Sequence, residues 1–444
     1  MAEQVENDGG AIRRDVQGHE GALGGLENEV VGVASGQGGV PARIVGAAAP
    51  LGGGGAGGQQ QRRDRDETAR QTRRDGRNER IRQRIPHGVS SGSGALGDER
   101  PDRIITALMT GSCESIPSGN GSGDASASGV KTIAPPGWGD AEAAAVRLRK
   151  VFPPSPLLRA GSELADDLLL KADTLLPTGS FKVRGIWDAV SQLSEEQVAP
   201  GLSTVSAGNT ALALAWAARR RGVPAFSLLP ETAPPAKVEG FRAAGGTPRL
   251  VTVPELFRFL KEHLWENEPY LFVHPWTCPL VHRGHASLAV ELLEAAPEIE
   301  SVFIPVGGGG LLTGVGGALK DRRPEIRIFA VEPAGCAALH HSLEAGRAVS
   351  APCETVCDGA AVPYLTEELY PTLASLVDRT VLVPDAATLA TSRDLLLSRK
   401  ILTEPSGALA TAAARRVPVE ERGLSVALLT GASVGAAGIR RLLD

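Results

Sequence analysis

The sequence predicts an α/β protein whose parallel sheets are covered by helices on both faces. Two observations carry this. Short apolar runs alternate with longer amphipathic ones from Pro136 to the end of the chain, as strands and crossover helices must in a parallel sheet. The hydrophobic fraction of 42% in 444 residues is enough for a sizeable core, and the length suits two or three domains.

The elements follow in order. AEAAAVRLRKVF (141–152) has helical periodicity, and LLLKAD (168–173) is a short apolar strand. A helix after PTGSFK carries Ile186, Ala189, Val190 and Leu193. Then come strand LSTVSA (202–207), helix TALALAWAARRRG (210–222), strand AFSLLP (225–230), helix PAKVEGFRAAGG (235–246) and strand PRLVTV (248–253). LFVHPW (271–276) reads as a strand and HASLAVELLEAA (285–296) as a helix. SVFIPV (301–306), LLTGVGGALKD (311–321) and IRIFAVEP (326–333) read as strand, helix and strand, with last strands at TVLVPD (380–385) and LSVALLTG (424–431). The expected division is a smaller α/β domain over 201–278 and a larger one built from 136–200 and 279–444.

Residues 1–135 are low in large apolar side chains and rich in GGGG-, SGSG- and QQQ-like runs, so they cannot bury enough surface to offset chain entropy. We expect a disordered extension there, or a start of translation near Met109. The Arg-rich run 61–84 is interleaved with Asp64, Asp66, Glu67, Asp75 and Glu79, which favours a solvated tail over a nucleic-acid arm. A net charge of −5 gives no reason to invoke nucleic acid or a membrane surface. There is no apolar run of about 18 residues, and no secretory leader is expected from the opening residues. Five scattered cysteines, an odd number without framework spacing, suit a reducing cytoplasm. Cys353 and Cys357 have no second pair of ligands in sequence, so no metal site is expected.

Four stretches, and a hydroxyl at the end of the last strand, carry chemistry. In PTGSFKVRG (177–185) a turn delivers Lys182, whose amine can condense with an aldehyde; a solvated lysine is the plainer reading. Gly307, Gly308, Gly309 and Gly310 follow a strand and precede a helix, so bare N–H groups can converge on a phosphate; a tight turn is the plainer reading. Ser206-Ala207-Gly208-Asn209-Thr210 also lies between strand and helix and could hold a carboxylate, with Asn209 free to donate to a phenolate. Glu404-Pro405-Ser406-Gly407 reads as a helix start, and Thr430 ends the last strand with a hydroxyl that could face a pyridine nitrogen.

Together these stretches resemble the fold-type II pyridoxal-phosphate enzymes, the tryptophan synthase β-like fold, within the serine/threonine dehydratase (ammonia-lyase) and serine racemase branch. The resemblance runs from about Pro154 to Leu443. It rests on SFKVRG, SAGN, ETAPPAKVEGFRAAGG, PVGGGGLLTGVGGALK, VEPAG, TVCDGAA and EPSGALATAA in that order. It implies that Lys182 joins the pyridoxal 5'-phosphate aldehyde and takes the substrate α-proton. It implies Phe181 beside the cofactor ring, Asn209 at its 3-oxygen and Thr430 at its ring nitrogen. Gly307, Gly308, Gly309, Gly310 and Leu311 would supply the phosphate cradle. Ser206, Ala207, Gly208 and Thr210 would grip the substrate carboxylate. A cofactor in the cleft between two α/β domains is implied as well, and dimers are common in the family.

The expected reaction is β-elimination of water from L-threonine, L-serine or a related β-hydroxy amino acid, giving a 2-oxo acid and ammonia. Eukaryotic-type serine racemases carry a second serine where Ala207 stands, so Ala207 argues for dehydration. GHASLAVE (284–291) is similar to liver-type serine dehydratases. PTGSFK and Thr210 are equally close to threonine synthases, which keeps β/γ-replacement as the alternative; a non-catalytic phosphate-ligand-binding protein is the other. Racemase-like members bind a cation through a Glu, matched by Glu332, and an Asp whose place is taken by Ala338. No regulatory domain is expected after Thr430, which favours a catabolic role.

Overall fold

The computed structural model describes residues 131–443 except Asp166; the extension expected over 1–135 lies almost wholly outside the described residues. Ten strands form two sheets. The first has six strands in the order β1-β2-β10-β7-β8-β9: β1 (Leu157–Arg159), β2 (Leu168–Ala172), β7 (Ser301–Pro305), β8 (Arg327–Pro333), β9 (Arg379–Val383) and β10 (Ser425–Leu429). All pairs are parallel except β1 with β2, so the sheet is mixed rather than purely parallel. The second has four parallel strands in the order β5-β4-β3-β6: β3 (Leu202–Val205), β4 (Ala225–Pro230), β5 (Gly246–Val251) and β6 (Leu271–Phe272).

Alternation along the strands explains how the larger sheet is covered. Val302, Ile304, Ile328, Ala330, Val426 and Leu428 face a core shared with helices α7 (Pro279–Ala295) and α8 (Gly310–Arg322). Phe303, Phe329, Val331, Ala427 and Leu429 point the other way, onto α11 (Asp385–Arg399) and α12 (Pro405–Ala414). A strand buried on both faces reads as a continuous apolar run, which is how these segments look in sequence. On the smaller sheet, Leu202, Ala225 and Leu229 pack with α2 (Lys182–Ser191) and α4 (Asn209–Arg221). Val205, Leu228 and Phe272 pack with Phe259 and Leu260 of α6 (Val253–Lys261). Helix α2 thus buries Val183, Ile186, Ala189 and Val190 in the core of the smaller sheet.

Several elements differ from expectation for local reasons. LFVHPW pairs only through Leu271 and Phe272, with one further bond from Val273 N to Ser203 O. His274 Nδ1 then accepts the N–H groups of Trp276 (3.4 Å) and Thr277 (3.1 Å), and Pro275 has no N–H, so the chain turns. Helix α7 starts early, with Pro279 in its first turn. Helix α6 is additional; Thr252 and Glu255 cap it reciprocally. Cys336 and Cys353 are joined by a disulfide, and among the described residues only Cys278 and Cys357 are free. The odd cysteine count therefore no longer argues for a reducing compartment, and Cys353 is not available as a ligand beside Cys357.

The interior also holds charge. Arg184 is fully buried and donates to Asp173 Oδ2 (2.7 Å) and Oδ1 (2.9 Å) and to Glu291 Oε1 (2.6 Å) and Oε2 (2.8 Å). Lys171 Nζ lies 2.6 Å from Glu291 Oε2 and donates to Ser155 O at 2.6 Å. Burial works against the Glu291 carboxylate, but Arg184 and Lys171 together hold its pKa below the ordinary value. Two cations and two anions close the network, so removing one strands a buried charge. Arg184→Met is expected to lower unfolding stability by about 3–5 kcal/mol, read by denaturant titration.

Candidate active site

The turn before α2 sets the lysine. Thr178 and Gly179 both adopt φ of 69°, which is unusual for a β-branched threonine. Ser180 then bridges antiparallel to Gly431, Phe181 N donates to Thr430 O (3.0 Å), and Ala432 N donates to Gly179 O (2.9 Å). The lysine turn is thereby stitched to the end of β10. Lys182 Nζ donates to Pro275 O at 3.3 Å and lies 5.0 Å from the Phe181 ring centre. Burial lowers its pKa from 10.5 to about 8, since little nearby compensates the charged form.

The glycine turn approaches the same segment from the other side. Gly309 has φ 92°, open to glycine at no steric penalty. A Cβ on Gly308 would fall 2.4 Å from Trp276 Cγ, and one on Gly310 would fall 3.1 Å from Trp276 Cα. A Cβ on Gly307 would meet Ala360 Cα at 3.2 Å. The N–H groups from Gly307 through Leu312 donate to no acceptor among the described residues; the first to do so is Thr313 N, to Gly309 O at 2.9 Å. Six consecutive N–H groups without an acceptor, at the start of a buried helix, make an anion cradle.

The third wall is the loop from Ser206 to Thr210. Ser206 N donates to Leu228 O (3.1 Å), and Gly208 N donates to Ser206 Oγ (3.1 Å). The N–H groups of Ala207, Asn209 and Thr210 have no acceptor among the described residues. Asn209 Nδ2 donates to Glu404 Oε1 at 2.7 Å, and Ser433 Oγ donates to Asn209 Oδ1. Burial, with Asp358 nearby, raises the Glu404 pKa to about 7. Thr430 Oγ1 donates to Ser406 O at 3.3 Å, a long bond that a better-placed acceptor would replace.

Sequence reasoning missed several groups here. Trp276, expected inside a strand, forms the link between Lys182 and the glycine turn. In the sequence, Glu404 reads only as an acid at a helix start. His274, His282 and His285 are buried around the lysine segment; burial is the largest cause lowering the pKa of each, to about 3 for His274 and about 4 for His282, and neighbouring cationic groups, Lys182 among them, lower them further. The His285 ring packs against Phe181 at a tilt of 56°, with centroids 4.9 Å apart. Only the GHAS motif hinted at it. Glu332 spends both carboxylate oxygens on the N–H groups of Leu339 and His340, each at 2.8 Å, at the start of a helix over Ala338–Ala345. Among the described residues no cluster of three or more His, Cys, Asp or Glu is placed to hold a metal.

The profile of the family described as pyridoxal-phosphate dependent enzyme matches residues 149–431. The chain belongs to that family. It is 33% identical over 296 residues to the L-threonine ammonia-lyase of Geobacter sulfurreducens, covering 65% of this chain and 73% of that protein. It is 36% identical over 244 residues to the phenylserine dehydratase of Ralstonia pickettii, covering 55% of this chain and 75% of that one. Among solved structures, maize serine racemase superposes with a TM-score of 0.65 at 30% identity, over 70% of this chain and 97% of that one. The processed form of threonine deaminase isoform 2 from Solanum lycopersicum superposes with a TM-score of 0.62 at 28% identity, over 70% and 95%. The fold is therefore the fold-type II pyridoxal-phosphate architecture. The residues present fit pyridoxal phosphate: an amine for its aldehyde, and a row of N–H groups for its phosphate.

The lowered lysine pKa has a direct readout. Only the neutral amine attacks an aldehyde, so capture of added pyridoxal phosphate by cofactor-free protein should quicken as pH rises through about 8 and level off above. An ordinary lysine would keep gaining to about 10.5. Stopped-flow absorbance across that range measures it.

Proposed function

We propose that this protein is a lyase that removes water from a β-hydroxy amino acid, L-threonine, L-serine or a close relative, releasing a 2-oxo acid and ammonia. The observation that carries the reading is the convergence on residues 274–277. That stretch takes the Lys182 amine on the Pro275 carbonyl and packs Trp276 on the glycine turn, so amine and anion cradle face one site. The names of the relatives, ammonia-lyase and dehydratase, support the same chemistry.

Pyridoxal phosphate, when bound, supplies an aldehyde for Lys182 and an electron-withdrawing ring that acidifies the substrate α-carbon. The chain's residues do the rest. Lys182, with its lowered pKa, takes the α-proton at Nζ. Ala207, Asn209 and Thr210 offer N–H groups to the substrate carboxylate, with Ser206 and Gly208 bracing their loop. Gly307 to Leu311 would hold the phosphate, Phe181 would flank the ring, and Asn209 would donate to its 3-oxygen. Thr430 would offer the ring nitrogen a neutral hydroxyl rather than a proton, which would favour loss of the β-hydroxyl. Ala207 offers no second base on the opposite face, which supports elimination over racemisation.

The site lies, in this reading, between a domain over 201–278 and one built from 136–200 and 279–444. A cytoplasmic setting and a homodimer complete it. No helix among the described residues is long and apolar enough to cross a membrane. Sedimentation velocity of the purified protein is expected to give twice the chain mass.

Lys182→Ala is expected to abolish turnover while leaving the circular dichroism spectrum unchanged. In the unaltered protein, 2-oxo acid should be released from threonine, serine or phenylserine and not from O-phosphohomoserine. Phosphate release from O-phosphohomoserine would instead assign a replacement enzyme.

A further inference from the structure

We infer that Glu404 is a positioning residue that fixes which face of the Asn209 amide meets the cofactor's 3-oxygen. The inference rests on the proposed contact between Asn209 and that oxygen.

An asparagine amide has two nearly isosteric ends, one donating and one accepting. Only the NH2 end can stabilise an anionic oxygen; the carbonyl end would repel it. Left alone, the amide gains little by choosing. In this structure the choice is made twice. Glu404 Oε1, which is an acceptor whether or not the carboxyl is charged, takes one hydrogen of Asn209 Nδ2 at 2.7 Å. Ser433 Oγ donates to the opposite end, Oδ1. The second hydrogen of Nδ2 remains for the cofactor.

The surroundings hold Glu404 in place. It is 5% exposed. Its own N–H donates to Gly431 O at 3.0 Å, and a Cβ on Gly431 would fall 2.3 Å from Oε1 and 2.8 Å from Asn209 Nδ2. Any side chain at 431 would therefore wedge the pair apart. Gly431 also bridges to Ser180, two residues before Lys182. Asn209 begins α4 on the smaller sheet and Glu404 precedes α12 on the larger one, so the bond links the two walls.

The test uses a double-mutant cycle on the cofactor-loaded protein, read by the visible absorbance band and by the dissociation constant for pyridoxal phosphate. Asn209→Ala is measured first. An unchanged band and affinity there would overturn the Asn209 contact itself. With that contact established, Glu404→Leu is expected to shift the band and weaken cofactor affinity by about tenfold. The pair Glu404→Leu with Asn209→Ala should be no weaker than Asn209→Ala alone, within about twofold. Glu404→Gln, which keeps an acceptor in reach, should restore the band. Additive losses in the double variant, or an unshifted band in Glu404→Leu, would overturn the inference. If Glu404→Leu does not fold, Glu404→Asp serves, because its shorter arm cannot reach Asn209; an unshifted band there overturns the inference equally.

Discussion

The arrangement depends first on a buried charge network. Arg184 stands two residues after Lys182 and is clamped by Asp173 from the chain just before the lysine turn and by Glu291 from α7. A charged pair in the interior stabilises little by itself, since desolvation offsets the attraction. What it does impose is geometry. The bidentate guanidinium admits one orientation of the first turn of α2, and that turn carries the amine. The apolar face of the same helix meanwhile packs against the smaller sheet. Lys182 is therefore held by polar contacts on one side and by apolar packing on the other.

The second constraint is steric. Trp276 sits where side chains on Gly308 or Gly310 would have to go. The indole thus requires glycine at these positions, and the proposed phosphate site would add a need for bare N–H groups. A reading of the run as a plain tight turn captures the first requirement and misses the second. The N–H groups of Gly307 and Gly308, which precede the ordinary orphan donors of a helix start, support the second.

Much of this was legible in the sequence because each motif is local. Lys182, Ser206 to Thr210 and Gly307 to Leu311 all lie at strand–helix turns, where a few consecutive residues decide backbone direction. The strands of both sheets other than β1 were visible as mainly apolar runs for the same reason. What escaped depends on contacts between distant segments. Lys171, in an apolar strand, announced nothing of Glu291, 120 positions further on (291 − 171). Glu404 looked like a routine helix start because its partner, Asn209, lies 195 residues earlier. The disulfide joins cysteines with no framework spacing, and the antiparallel β1 was too short for any periodic signal.

The closest backbone meeting in the site has a consequence for how such a protein can drift. A Cβ on Gly407 would land 2.1 Å from Gly431 O. The first turn of α12 and the end of β10 therefore touch main chain to main chain. A lineage that acquired even a methyl group at 407 would have to re-lay the terminal strand, and with it the lysine turn hydrogen-bonded to that strand's end. Variation in this neighbourhood is expected to arrive as concerted replacement of both segments rather than as single substitutions.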